Sequence, residues 1–254
     1  MARLYGLDGA EQIARSHVLI VGIGGVGSWI AEALARSGVG EITLIDMDHI
    51  AESNINRQIH ALESTIGQAK VLAMKERIAQ INSECRVHVV DDFVTPDNWA
   101  ELVSNIHVSS SSILPLTAVV DACDQVKAKV VMADWALRQK VFLVTLGAAG
   151  GKREAHLVEQ ADLSQVTHDP LLSQVRYRLR KEKGAPKDGK KMGIRCVFSR
   201  ENVAPPDASC QVEGDGTLNC HGYGSAVTVT ATFGLVAASL VVNFLASGLA
   251  KPKI

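Results

Sequence analysis

Short apolar runs recur through the first 150 positions, near residues 17–21, 42–46, 86–90, 118–121 and 141–145, with helical stretches between them. Strands alternating with helices in this way predict the α/β class, a Rossmann-like doubly wound and mostly parallel sheet. The first run, His17-Val18-Leu19-Ile20-Val21, leads into a helical stretch over 26–37. The second, Ile42-Thr43-Leu44-Ile45, ends at Asp46, and a further helix is expected over 69–80. Ser109-Ser110-Ser111-Ser112-Ile113-Leu114-Pro115 reads as a surface loop ahead of the fourth strand. After the fifth strand comes the flexible turn Gly147-Ala148-Ala149-Gly150-Gly151, then an additional strand over 152–160. The C-terminal part mixes short strands and loops with one long apolar helix. The whole chain, 1–254, is expected to form one continuous domain.

Candidate chemistry gathers where these runs end. Gly22-Ile23-Gly24-Gly25-Val26-Gly27 comes after the first strand and opens a helix, so bare peptide N–H groups and a helix N-terminus face an anionic ligand. Asp46 lies at the end of the second strand, where a carboxylate accepts the hydroxyls of a ribose. The glycine turn by itself fits NAD, FAD or an S-adenosyl cofactor as well as ATP. The residues downstream of Asp46 favour a triphosphate: Asn54, Arg57 and Gln58 stand where the chain leaves the second strand, and Lys70 opens the next helix. A polyanionic tail that must transfer a phosphoryl or nucleotidyl group demands such cations and donors. Asp124, after the fourth strand, is placed to hold Mg2+ directly or through water.

In this order and spacing, the 22–27 turn, Asp46-Met47-Asp48, Asn54-Ile55-Asn56-Arg57-Gln58, Gly67-Gln68-Ala69-Lys70 and Asp124 resemble the ubiquitin-activating-enzyme-like adenylate-forming family. Within it the chain is most similar to the bacterial tRNA threonylcarbamoyladenosine dehydratases. Arg3-Leu4-Tyr5-Gly6, the segment from Asn54 through His60-Ala61-Leu62, Asp91-Asp92-Phe93-Val94-Thr95-Pro96-Asp97-Asn98, Asp169-Pro170-Leu171 and Thr230-Ala231-Thr232-Phe233-Gly234 carry that likeness, which spans nearly the whole chain. The resemblance implies ATP-dependent cyclisation of the threonylcarbamoyl group on the adenosine 3′ to the anticodon, through an acyl adenylate. It further implies a nucleotide-binding half over about 1–150, a substrate and dimer half over about 151–254, and a homodimer. In these terms Arg57, Lys70 and Asp124 with Mg2+ act on the triphosphate, while Asn54 and Gln58 orient phosphate oxygens. Asp46 takes the ribose, and Asp48 positions the loop or a metal-bound water. Relatives carry a longer N-terminal arm whose arginine reaches the partner's ATP; here Arg3 substitutes or the contact is absent. Two other readings stay open: an adenylyltransferase for the C-terminus of a ubiquitin-like sulfur carrier, and an NAD-dependent oxidoreductase in which Arg57 and Lys70 are surface ion-pair residues.

Composition narrows the rest. The chain has 254 residues, 47% of them hydrophobic, with net charge −1, enough to bury a substantial core. No leader-like segment is read at the N-terminus, and the expected compartment is the cytoplasm. Five cysteines without a C-x-x-C pair argue against a disulfide framework and against the zinc site common in carrier-activating relatives. Cys220, in Asn219-Cys220-His221-Gly222, is the thiol to inspect: His221 could lower its pKa, and relatives link a cysteine there to sulfur transfer from a partner protein, whereas dehydration itself needs no thiol. Charge concentrates in Arg176, Arg178, Arg180, Lys181, Lys183, Lys187, Lys190, Lys191 and Arg195, around a Gly184-to-Gly189 loop. A solvated surface is the plain reading of such a run; the resemblance turns it into a candidate tRNA contact, with no DNA expected. Residues 226–250 are long and apolar enough for a membrane span, but the interspersed Thr, Ser and Asn favour a packed helix.

Overall fold

The computed structural model describes residues 1–109, 114–187, 189–207, 209 and 223–248. Cys220 and residues 110–113 of the expected serine-rich loop lie outside them. Among the described residues, seven strands form one sheet: β1 (His17–Val21), β2 (Glu41–Ile45), β3 (Arg86–Val90), β4 (Leu116–Asp121), β5 (Phe142–Leu146), β6 (Val158–Asp162) and β7 (Arg195–Ser199). Their order across the sheet is β3-β2-β1-β4-β5-β7-β6, and every pairing is parallel except that of β6 with β7. β1 and β2 are buried at all five positions, as central strands covered on both faces must be.

Helices among the described residues supply that cover: α1 (Ala2–Ala14), α2 (Gly27–Arg36), α3 (Lys70–Ile81), α4 (Trp99–Ser109), α5 (Val126–Gln139), α6 (Pro170–Glu182) and α7 (Val227–Ala246). Ile30 and Leu34 of α2, Met74 of α3 and Phe233 of α7 pack on one face with Val18 and Ile20. Trp99 of α4, Met132 of α5 and Val175 of α6 pack on the other with Leu19 and Val21. The alternation along β1 thus sends successive side chains into two cores. Chain order reverses direction about β1, which sits between β2 and β4, so the crevice beyond the carboxyl ends of β1 and β4 is the topological switch point where ligands bind in such sheets.

The long apolar segment is a packed helix. Half of its most apolar stretch is buried. Gly234 lets α7 approach α2 closely, since a Cβ there would stand 2.7 Å from that of Trp29 and 2.9 Å from the Val26 carbonyl oxygen. Phe244 stacks on Phe142 of β5 with centroids 4.0 Å apart. The polar interruptions Thr228, Ser239 and Asn243 fall on the exposed stripe.

The strand expected over 152–160 begins only at Val158. The residues before it have other bonds to make. The Lys152 ammonium donates to the carbonyl oxygens of Ser199 and Glu201, the amides of Arg153 and Glu154 donate to the Glu201 carboxylate, and Ala155–Leu157 form a 3-10 turn.

Candidate active site

The glycine turn is shaped by the backbone that presses on it. Gly22 has φ +87° and donates its N–H to the Ile45 carbonyl oxygen at 2.9 Å, and a Cβ on it would lie 2.9 Å from the backbone of Ala122 and Cys123. A Cβ on Gly27 would overlap the Gly22 carbonyl oxygen. Those two glycines close the turn against the β4 loop. Gly24 differs: only the Gln58 amide nitrogen, 4.0 Å away, lies near where its Cβ would be. Gly25 touches the stem of Arg57 and the methyl of Thr230.

Asp46 is bonded into this turn. Its Oδ2 accepts from the Ile23 N–H at 2.6 Å and its Oδ1 from the Asp48 N–H at 2.8 Å, which fixes the carboxylate at the crevice edge. Burial pushes its carboxyl pKa up, against the opposing pull of Lys70 and the two N–H donors. Lys70, at the start of α3, is buried, and its Nζ meets Asp48 Oδ2 at 2.6 Å. It is therefore not the surface ion-pair residue that an oxidoreductase reading requires.

The segment after Asp48 folds back over the turn. Asn54 Oδ1 accepts from the Ala51 N–H at 3.1 Å, so this amide shapes its own loop. The Arg57 backbone carbonyl accepts from the Trp29 indole at 3.0 Å and from the Thr230 hydroxyl at 3.4 Å, while Asn56 donates to the Ser225 carbonyl at 2.7 Å. The Arg57 guanidinium donates to Ser53 O and Asn56 Oδ1. Gln58 is buried, and its Oε1 has no hydrogen-bond partner among the described residues, while its amide nitrogen lies toward Gly24.

Across the crevice, Asp121 closes β4, and Asp124 stands exposed ahead of α5. Asp121, Lys129 and Thr145 are fully buried together, with Lys129 Nζ 3.1 Å from Asp121 Oδ1. Burial works to lower the lysine pKa, but the Asp121 carboxylate and its neighbours outweigh it and the net direction is up. Farther along the edge, Asp169 caps α6 through the Leu172 N–H and accepts from the Ala148 N–H in the loop after β5. Trp29, Asp121, Lys129, Thr145, Lys152 and Thr230 were not singled out by sequence for roles here. A strand-ending acid with a lysine eight residues on was a usable signal; the others become visible only through tertiary contact.

The basic run divides. Arg176, Arg178, Arg180 and Lys181 lie on α6, and the others lie beyond it toward β7. Arg176 is withdrawn from the candidate RNA surface, because its guanidinium donates to the carbonyl oxygens of Leu163 and Val166 and so holds the 163–166 turn. Arg180 donates to Pro186 O, Lys183 pairs with Asp134 at 3.5 Å and Arg195 donates to Gln160. Lys187, Lys190 and Lys191 are exposed and carry no ion pair among the described residues. Lys181 sits 5.8 Å from the centroid of the exposed Tyr177 ring.

The ThiF family model matches residues 1–253. The chain belongs to the ThiF family. Among similar proteins, this ThiF chain is 47% identical over 247 residues to the tRNA threonylcarbamoyladenosine dehydratase of Escherichia coli, covering 94% of this chain and 89% of that one. The crystal structure of the E. coli enzyme, TcdA, in complex with ATP superposes with a TM-score of 0.85 at 44% identity, covering 98% of this chain and 93% of the other. Its complex with AMP gives 0.84 at 45% identity, covering 98% and 94%.

Proposed function

We propose that this chain uses ATP to cyclise, with loss of water, the threonylcarbamoyl group on the adenosine 3′ to the anticodon of tRNA. The observation that carries the reading is the convergence at one crevice of the glycine turn, Asp46, the stem of Arg57 and the buried Lys70, in a chain of this family. The residues fit a nucleotide: Gly24 leaves peptide groups bare beside an incompletely bonded Gln58, and Asp46 faces the same turn. The pyrophosphate leaves as the substrate carboxylate oxygen attacks the α-phosphorus, and AMP leaves when a nucleophile within the same group attacks the acyl carbon. Arg57 and Lys70 act where charge develops on the leaving phosphates.

Asp124 fits a metal in the way Mg2+ is usually held, by one exposed carboxylate with phosphate and water oxygens completing the shell. No cluster of three or more metal-ligating side chains occurs among the described residues, so nucleotide oxygens would supply the other ligands. Bound there, Mg2+ would neutralise phosphate charge.

In this reading the nucleotide half spans about 1–150 and the half that holds tRNA and a second copy spans about 151–254, with the enzyme a cytoplasmic homodimer. Supporting the dimer, Leu235 and Val242 of α7 help to line a groove of about 240 Å³ with Tyr5 of α1, and α1, which packs against α7 from the other half, exposes Leu4 at 76% and Leu7 at 81%. Arg3, exposed on the same helix, is the arginine offered to the partner's nucleotide. The test is pyrophosphate release from ATP with threonylcarbamoylated tRNA, with the same tRNA unmodified, with a ubiquitin-like carrier, and with NAD binding measured alongside. Stimulation by the modified tRNA alone is expected; stimulation by the carrier instead would overturn the assignment.

A further inference from the structure

We propose that Asp121, Lys129 and Thr145 form a buried positioning device that sets the 121–124 loop for binding metal and nucleotide; the proposal rests on reading Asp124 as the metal-binding carboxylate. All three side chains are at most 1% exposed. Asp121 Oδ1 accepts from Lys129 Nζ at 3.1 Å, from the Cys123 N–H at 3.3 Å and from the Cys123 thiol at 3.0 Å. Its Oδ2 accepts from the Thr145 hydroxyl, and Lys129 Nζ also reaches the Asp121 carbonyl oxygen and Thr145 Oγ1, each at 3.4 Å. One carboxylate thus joins the end of β4, the first turn of α5 and β5, and bonds to the loop residue immediately before Asp124.

Such a pair is poorly explained by stability. Taking both charges out of water costs about what their attraction returns, and apolar residues of similar volume often serve a core as well. Its geometry does something an apolar trio could not. The bonds to Cys123 fix where the chain turns out of the sheet, and Asp124 is the next residue. The same turn is in register with the nucleotide floor, because Ala122 and Cys123 are the backbone against which Gly22 packs. A slack 121–124 loop would therefore displace the metal carboxylate relative to the phosphate cradle while leaving both cores intact.

The test uses the full chain and reads Mn2+ binding in the presence of a non-hydrolysable ATP analogue, from loss of the free-ion electron paramagnetic resonance signal. Thr145→Val removes a hydroxyl without unbalancing the charge pair, whereas Lys129→Met is the stronger variant but strands Asp121 and can fail to fold. Thr145→Val is expected to raise the Mn2+ dissociation constant about tenfold, the usual scale for losing a residue that orients a ligand. Thr145→Ser restores binding, and added Mg2+ recovers most of the lost rate of pyrophosphate release. A purely structural role would lower melting temperature and rate alike at every Mg2+ concentration, and that result overturns the proposal. Asp124→Asn separates the layers. If it weakens Mn2+ binding while folded Thr145→Val does not, the positioning role falls and the metal reading survives; if Asp124→Asn leaves Mn2+ binding unchanged, both fall.

Discussion

Lys70 Nζ and Asp48 Oδ2 meet at 2.6 Å, and the Asp48 N–H in turn holds Asp46. These two bonds tie the carboxylate proposed for the ribose to the cation proposed for the triphosphate. The lysine side chain is nearly buried while the aspartate side chain is 54% exposed, so the pair contributes little to stability but fixes where the ammonium stands. Lys70→Ala is expected to lower single-turnover AMP formation by about 10²–10³, the cost of removing one preorganised donor, with the melting temperature little changed. Asp48→Asn leaves the cation but frees it, and should raise the KM for ATP more than it lowers kcat. Equal loss of both parameters in Asp48→Asn would count against its role as an anchor.

The turn glycines make opposite predictions. Gly27→Ala forces a methyl onto the Gly22 carbonyl oxygen, so the cost appears in folding, as a lower melting temperature or insoluble protein. Gly24→Ala meets only the Gln58 amide at 4.0 Å and should leave the fold intact. Its methyl instead occupies the space in front of the bare peptide groups, and ATP affinity measured by calorimetry should drop at least about tenfold. A stable Gly24→Ala variant with unaltered ATP affinity would remove this turn from the phosphate site.

For the proposed tRNA surface, Lys187, Lys190 and Lys191 are the cations to neutralise. Replacing all three with Ala is expected to weaken tRNA binding, to flatten its salt dependence by about one unit of slope per lost phosphate contact, and to leave ATP affinity unchanged. Arg176→Ala should behave differently, lowering thermal stability, because it uncaps the carbonyl oxygens of Leu163 and Val166. An unchanged salt slope in the triple variant would move the tRNA contact elsewhere.

The contrast between Arg176 and Lys187 marks the boundary of legibility in the chain. Strand positions through residue 146 were readable because fully buried β1 and β2 must be continuous apolar runs, and the glycine turn was readable because its steric demands are local. Strand ends fixed by distant partners were not. β6 starts late because Lys152 and the Glu201 carboxylate, far apart in sequence, claim each other's neighbourhood. Candidates named from local pattern, such as Asp46 and Lys70, are brought to one crevice, because each stands at an element end that the pattern itself fixes. The site was illegible where residues act through others, as Thr145 does on Asp121 or Trp29 on the Arg57 carbonyl. A run of cations in sequence likewise says nothing about which of them the fold has already used.

His60 provides a pH signature of the loop that covers the turn. It is 2% exposed, and neither ring nitrogen has a hydrogen-bond partner among the described residues. Burial first, then the charges of Lys70 and Arg77, lower its pKa to about 4 from an ordinary 6.5. The folded chain therefore keeps His60 neutral in a range where the unfolded chain protonates it. Between about pH 6.5 and 4 the unfolded state binds the extra proton, so stability rises with pH across that window and is flat for this group above it. The full swing is about 3 kcal/mol, the scale that such a displacement of a single site implies. Asp46 and Asp169, whose pKa values are raised, contribute with the opposite sign, so the His60 part must be read as a difference. Urea midpoints of wild type and His60→Leu at pH 7.5, 5.5 and 4.5 supply that difference. The wild type should lose more stability on acidification than the variant, with the gap opening below pH 6.5. Parallel profiles would mean that His60 is solvated or partnered in solution, and that the loop between Gln58 and Lys70 is looser than its packing here.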